Sequence, residues 1–259
     1  MGKKSVGFIG GGRITRILLE GFRRAGVRFP KVFVSDTNPE TLQKLNDMFP
    51  YIEIFANDNR TPAETELVFL ALHPPAVPDA LKDIRGSLRA HSILISLAPK
   101  ISMAKISEIL AGHTRIVRMI PNAPSIVNAG YNPVVFGAGI SRSETEELVG
   151  LFGALGECPV VKEETLEAYA VLTAMGPTYL WFQWEELARM GVSFGIDPDE
   201  ARRAISRMIE GGKETLFHSD LTPKEVMDLI PVRPLAEDEE KIREVFRSRL
   251  EALYSKLKS

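Results

Sequence analysis

The segment Val6-Gly7-Phe8-Ile9-Gly10-Gly11-Gly12-Arg13-Ile14-Thr15 constrains this chain more than any other. A short apolar run ends in three glycines, and an amphipathic pattern from Ile14 to Ala25 begins at once. Strand, tight turn and helix in that order open a dinucleotide-binding βαβ unit. Gly10 permits the turn, and Gly12 lets the backbone approach a pyrophosphate at the positive end of the helix dipole. Arg13 and Ile14 start that helix and join the glycines as candidate cofactor contacts. Thr15 takes the third position of G-x-G-x-x-G in place of Gly or Ala, which predicts slightly wider helix–strand packing. About twenty residues on, the second strand ends at Asp36, where a carboxylate accepts hydrogen bonds from an adenosine ribose. That charge repels a 2′-phosphate and favours NAD. Ser35, Thr37 and Asn38 are able to hydrogen-bond a phosphate, so NADH and NADPH both stay open.

The same alternation continues. Short runs at Val6–Ile9, Val32–Ser35, Ile52–Phe55, Leu67–Leu72, Ser92–Leu97, Ile116–Met119, Val134–Phe136 and Pro159–Val161 are predicted strands. Helical patterns from Glu40 to Met48, Met103 to Leu110 and Glu144 to Leu155 lie between them. This predicts an α/β protein with a Rossmann-type, doubly wound, mostly parallel sheet. Asn38-Pro39 reads as a helix cap with a first-turn proline, and Ser143 with Glu146 as a capping box. After Glu163 the strands stop, so the expected division is a dinucleotide-binding domain at 1–162 and an all-α dimerisation and substrate domain at 163–259.

In that second part Pro177–Val192 is apolar almost all round, which predicts burial on every side. Asp197-Pro198 opens a helix, and Thr222-Pro223-Lys224-Glu225 is a capping box with proline at the first helical position. The last helix, from about Glu237, sets Ile242, Val245, Phe246, Leu250, Leu253 and Leu257 on one stripe. So much apolar surface on so few residues predicts a homodimer or higher homo-oligomer, with Trp181 and Trp184 in its core or interface.

Charge and cysteine narrow the partners. Thirty-two basic and 34 acidic residues give a net charge of −2, with no long block of either sign. Neither nucleic acid nor a membrane surface is expected to bind. No apolar run approaches the ~18 residues of a membrane helix, and the apolar run Val6–Ile9 is too short for a secretion signal. One cysteine, Cys158, suits a reducing, cytoplasmic setting. His73, His91, His113 and His218 are scattered without metal-ligand spacing, so no metal is expected. Tyr254 and Lys258 share the Tyr-x-x-x-Lys spacing of short-chain dehydrogenases by chance, being on the last turn.

Several segments in order resemble the pyrroline-5-carboxylate reductase family. Val6–Gly12 is similar to its opening strand and turn, and Val34-Ser35-Asp36-Thr37-Asn38-Pro39-Glu40 to its second-strand segment. Ala71-Leu72-His73-Pro74 resembles the Ala-Val-Lys-Pro cofactor loop, and Ser96-Leu97-Ala98-Pro99-Lys100-Ile101-Ser102 resembles Ser-Ile-Ala-Ala-Gly-Ile-Ser. Arg118-Met119-Ile120-Pro121-Asn122-Ala123-Pro124 is close to Arg-x-Met-Pro-Asn-x-Pro, and Gly176-Pro177-Thr178-Tyr179 is similar to Gly-Pro-Ala-Tyr. The resemblance implies an NADPH- or NADH-dependent reduction of a small imino acid to proline. It also implies that Ala71, His73 and Pro74 contact the cofactor and that Thr173 replaces a substrate-side serine. Asn122 sits in a proline-braced loop after a strand, where a rigid amide can stand beside the nicotinamide; with Thr173 it is a candidate catalytic residue. The resemblance stops at Asp228. The family's Ser-Pro-Gly-Gly-Thr-Thr loop, implied to hold the substrate carboxylate, is replaced by Leu229-Ile230-Pro231-Val232-Arg233-Pro234-Leu235. Arg233, or Lys100, is left to grip a carboxylate. Two alternatives follow: a reductase of another imino or keto acid, and a dinucleotide-binding protein without catalysis.

Overall fold

The structure is a computed structural model that describes residues 4–258; residues 1–3 of the expected first domain and residue 259 of the expected second lie outside it. Residues 4–175 with 254–258 form one compact unit, and Gly176–Leu253 form another.

The first unit begins β1 (Val6–Ile9), α1 (Arg13–Arg24), β2 (Val32–Asp36), α2 (Pro39–Met48), β3 (Glu53–Ala56) and α3 (Arg60–Ala63). It continues β4 (Leu67–Leu70), α4 (Val77–Ile84), β5 (Ile93–Ser96), α5 (Met103–Ile109) and β6 (Ile116–Met119). Then come β7 (Gly130–Tyr131), β8 (Val134–Phe136), α6 (Arg142–Gly153), β9 (Gly156–Glu157) and α7 (Leu166–Tyr169), which runs into a π-helical turn, Ala170–Ala174.

The main sheet has the order β3-β2-β1-β4-β5-β6-β8, parallel up to β6 and closed by antiparallel β8. The chain leaves β3 at one edge and re-enters at β4 beside β1, which makes a topological switch point. Strands β1, β4, β5 and β6 are buried on both faces, as continuous apolar runs in a parallel sheet require. On one face Phe8, Phe69 and Val117 pack against Leu18 and Phe22 of α1 and Phe152 of α6. On the other, Val68, Leu94 and Ile116 meet Leu81 and Ile84 of α4 and Ile106 of α5.

Several local expectations need correction. Helix α6 is capped by Ser141 and Glu144, each accepting the other's backbone N–H; Glu146, offered above as the partner of Ser143, pairs with Arg142. Pro159–Val161 makes no strand, only a parallel bridge from Val160 to Val134 on the outer edge of β8. The compact units divide between Met175 and Gly176. Leu166 and Ala170 bury themselves against Ile120 and Val135, so this helical segment belongs with the sheet.

The second unit holds α8 (Pro177–Ser193), α9 (Pro198–His218), α10 (Pro223–Asp228) and the first turns of α11 (Glu239–Lys258). Asp197 caps α9, and Thr222 with Glu225 caps α10 as the sequence predicts. Burial of α8 on every side is not found. Ala188 is its one buried residue, while Phe182 is 67% exposed and Leu180, Trp181, Leu187 and Met190 are open as well. Much of the apolar surface of α8 outside its contact with α9 therefore has no cover among the described residues.

Candidate active site

A cleft of about 540 Å³ opens along the carboxyl edge of the sheet, over the switch point. Each wall comes from a different chain turn. The loop after β1 supplies Gly10, Gly12, Arg13 and Ile14, β2 supplies Asp36, and the segment after β4 supplies Ala71, Leu72, His73 and Pro74. Further along, the exits of β5 and β6 give Leu97, Pro99, Ile120 and Pro121, and the π-helical turn and α11 give Ala170, Ala174, Met175 and Leu257.

The glycine turn has the geometry of an anion cradle. Gly10 has φ of +102°, and a Cβ there would lie 2.5 Å from the Ala71 carbonyl oxygen, so no other residue fits without strain. A Cβ on Gly12 would meet nothing within 4 Å; the space above it is open. Gly12 is the N-cap of α1, with no side-chain cap and no acidic residue in the first turn. The first N–H groups of the helix are thus left for a ligand, at the positive end of its dipole.

Two side chains hold this cradle in shape. Asp36 accepts the Gly11 N–H through Oδ2 and the Asn38 N–H through Oδ1, each at 2.8 Å. One lone pair on each oxygen remains for a sugar hydroxyl. Thr15, at the third position of the glycine motif, is fully buried, and its hydroxyl donates to the Gly10 carbonyl at 2.5 Å. It locks the turn from beneath.

Of the residues singled out from sequence, Gly10, Gly12, Arg13, Ile14, Asp36, Ala71, His73 and Pro74 line this one cleft. Asn122 and Thr173 do not appear in its lining. The Asn122 Oδ1 accepts the Tyr131 N–H at 3.1 Å, and its Nδ2 donates to the Thr173 carbonyl at 3.4 Å. The Thr173 hydroxyl donates one turn back to the Tyr169 carbonyl at 2.8 Å. Both side chains hydrogen-bond partly buried backbone and tie the β6 exit to the π-helical turn, while the second Asn122 N–H and the lone pairs of the Thr173 hydroxyl stay available. Their neighbours Pro121 and Ala174 reach the cleft instead. Arg233, weighed as a carboxylate grip, is bonded to Glu239 on the opening turn of α11.

The segments that carry the family resemblance contain Arg118, Leu97, Pro99, Ile120 and Pro121, but sequence alone assigns them no role in the site. Arg118 is 2% exposed and bonded to both Glu163 and Glu167. The signal for Leu97, Pro99, Ile120 and Pro121 was present in the segments flanking the strands. Ala170 and Ala174 carry none, since a small residue in a helix marks nothing by itself.

The chain is similar to known proteins along most of its length. Residues 5–100 match the family model described as NADP oxidoreductase, coenzyme F420-dependent, and residues 163–232 match the model for pyrroline-5-carboxylate reductase dimerisation. The pyrroline-5-carboxylate reductase of Corynebacterium melassecola is 26% identical over 225 residues, 86% of this chain and 83% of that protein. The Arabidopsis thaliana enzyme of the same name is 26% identical over 208 residues, 80% of this chain and 74% of the relative. Among solved structures, Plasmodium falciparum pyrroline carboxylate reductase with NADP bound superposes with a TM-score of 0.85 at 20% identity, covering 100% and 98% of the two chains. The dimerisation match and the relatives along most of its length make the chain similar to the pyrroline-5-carboxylate reductases.

Proposed function

We propose that this protein is an NADH- or NADPH-dependent reductase of a small cyclic imino acid, converting pyrroline-5-carboxylate to proline as a cytoplasmic homodimer. The observation that carries the reading is the uncapped N-terminus of α1 beneath an open Gly12, with Asp36 beside it. A dinucleotide fits there by its chemistry: the helix end and the bare glycine take the pyrophosphate, and the free lone pairs of Asp36 take ribose hydroxyls. When bound, the nicotinamide supplies the hydride.

The chain's own residues position, enclose and desolvate. Between the β5 exit and α11 the lining is wholly apolar, from Leu97 and Pro99 through Ile120 and Pro121 to Ala174, Met175 and Leu257. Such walls exclude water and hold a ring against a ring. They offer no strong acid, and a cyclic imine needs none, because near neutral pH part of it is already protonated on nitrogen. Positioning supplies most of the acceleration. Homodimer formation is supported by the uncovered apolar side chains of α8 and by the dimerisation match.

One specific observation favours a second reading, a reductase of a different imino or keto acid. Arg233 is held by Glu239, and Ile230, Val232 and Leu235 are exposed, so the segment that replaces the family's carboxylate loop presents no clamp within its own unit. Oxidation of NADH and NADPH followed at their absorbance maximum, with pyrroline-5-carboxylate and a panel of imines and keto acids, separates the readings. Turnover of pyrroline-5-carboxylate is expected. Cofactor binding with turnover of another substrate alone would shift the assignment to that substrate, and binding without turnover of any would remove catalysis from it.

A further inference from the structure

Arginine is a costly residue to bury, and Arg118 is among the largest fully buried side chains of the protein. It sits near the end of β6, in register with Ser96 of β5, directly before the strand gives way to Ile120 and Pro121 in the cleft wall. Its Nη1 donates to the Glu163 Oε1 at 2.9 Å and its Nη2 to the Glu167 Oε1 at 2.8 Å. Both carboxylates reach further. The Glu163 Oε1 also accepts the Met103 N–H at 2.8 Å, and the Glu167 Oε1 accepts the Lys100 N–H at 3.1 Å. Lys100 is one of the few non-glycine residues with positive φ, at 73°, a conformation that needs outside support.

One guanidinium thus gathers three pieces of the cleft: the β5–α5 loop at both ends, the β6 exit, and the helix that leads into the π-helical turn. Burial works to raise the Glu167 pKa, but the hydrogen bond and charge of Arg118, with the Lys100 N–H, outweigh it and the net direction is down. Glu167 is therefore an anion in the folded protein. Stability alone does not account for the cluster. An apolar residue at 118 would hold the sheet as well or better, and the Arg118 Nε and the Ser96 Oγ are left without hydrogen-bond partners. What the cluster adds is direction: fixed, planar tethers to backbone N–H groups around the site.

We propose that Arg118 is a positioning residue for hydride transfer, setting the apolar end of the cleft through Glu163 and Glu167 while leaving the glycine-turn end untouched. This rests on the reductase reading above. Displacing the π-helical turn or the β5–α5 loop moves Ala174, Met175 and Pro99, which together frame the space for the reacting ring.

The test compares Arg118→Lys, Arg118→Met, Glu163→Gln and Glu167→Gln in the full-length protein. Glu167→Gln is expected to lower kcat at least tenfold with the NADH Kd unchanged within twofold. The primary deuterium isotope effect from NADH labelled at the transferred hydrogen should rise at the same time. Arg118→Met should cost more, and Arg118→Lys should recover part of the loss. If Arg118→Met does not fold, the two glutamine variants carry the comparison. Loss of kcat and cofactor affinity in parallel, without a rise in the isotope effect, would mean a purely structural role and would overturn the proposal. Hydrogen exchange gives a readout independent of turnover. In Glu167→Gln, peptides spanning 97–105 and 163–175 should exchange faster while 10–24 stays protected, whether or not the protein reduces pyrroline-5-carboxylate. Unchanged exchange there would overturn the network, leaving the reductase reading intact.

Discussion

Gly12→Val is the substitution that most cleanly separates cofactor binding from folding. Gly12 has φ of −75° and ψ of −161°, an extended conformation open to any residue, and an added Cβ meets nothing within 4 Å. Two small effects on stability oppose each other. Valine is a poorer N-cap than glycine by up to about 1 kcal/mol. Restricting the unfolded chain returns about 0.4–1 kcal/mol. The melting temperature should therefore move by only a few degrees. Binding should not survive so well. The valine methyls would stand where pyrophosphate oxygens approach the first N–H groups of α1. Each charge-assisted hydrogen bond contributes about 1.5–3 kcal/mol, so losing two weakens the Kd by roughly 10²- to 10⁴-fold. Titration of NADH and NADPH by calorimetry, beside a thermal melt, measures both quantities on one sample. Gly10→Ala is the contrasting control: at φ of +102°, with the Ala71 carbonyl 2.5 Å from the new atom, it should destabilise the fold itself. Wild-type affinity in Gly12→Val would refute the placement of the pyrophosphate. A loss of stability matching that of Gly10→Ala would refute the claim that the space is open.

Asp36→Asn removes a charge yet keeps an acceptor for the Gly11 N–H, so NADPH should gain on NADH by roughly 10-fold or more in kcat/KM; an unchanged ratio would place the 2′-phosphate elsewhere. The Arg115 hydrogen bond holds the Glu144 carboxyl at about 2 against an ordinary 4.5, so this pair stabilises the protein above pH 4.5 and its contribution is lost as pH falls towards 2. With the side chains about a quarter open to solvent, Arg115→Gln should cost about 1–2 kcal/mol at pH 7, and the urea midpoints of variant and wild type should converge below pH 3. Arg233→Ala should change kcat/KM less than threefold, since Glu239 already holds the guanidinium; a loss beyond thirtyfold in steady-state assays would restore it as the carboxylate grip. Trp184→Asp, in the groove that α8 shares with α9, should convert an oligomer into monomer of 28.7 kDa by light scattering, and an unchanged mass would place the interface on another face.

The sheet and the glycine-turn end of the cleft were legible because local residue type dictates them. Gly10 alone tolerates its φ, Asp36 ends its strand at the expected distance, and buried parallel strands announce themselves as apolar runs. What stayed hidden depends on distant partners. Arg118 looks like a surface charge until Glu163 and Glu167, 45 and 49 residues later, fold over it. Ser143 and Glu146 have the spacing of a capping box, but so do Ser141 and Glu144, and the choice rests on where the turn after β8 releases the chain. The apolar surround of α8 was visible, though not what would cover it. Asn122 is noticeable in sequence for its amide, but its bonds to Tyr131 and to the Thr173 carbonyl depend on tertiary structure.

The π-helical turn at Ala170–Ala174, closed by the Met175 N–H on the Ala170 carbonyl at 3.1 Å, gives this stretch a frame as well as a composition. A π-turn contains one residue more than an α-turn, so every position beyond it is rotated by about 100° relative to an uninterrupted α-helix. Exposed Leu172 is therefore replaceable but not dispensable. Deleting it would let the segment relax into a regular α-helix and swing Ala174 and Met175 out of line with Ala170, closing or misaligning the apolar end of the cleft without changing one residue of its lining. Substitutions here act on chemistry one side chain at a time, whereas a single insertion or deletion acts on phase. Lineages of this fold should accordingly vary at the exposed position of such a turn and hardly at all in its length.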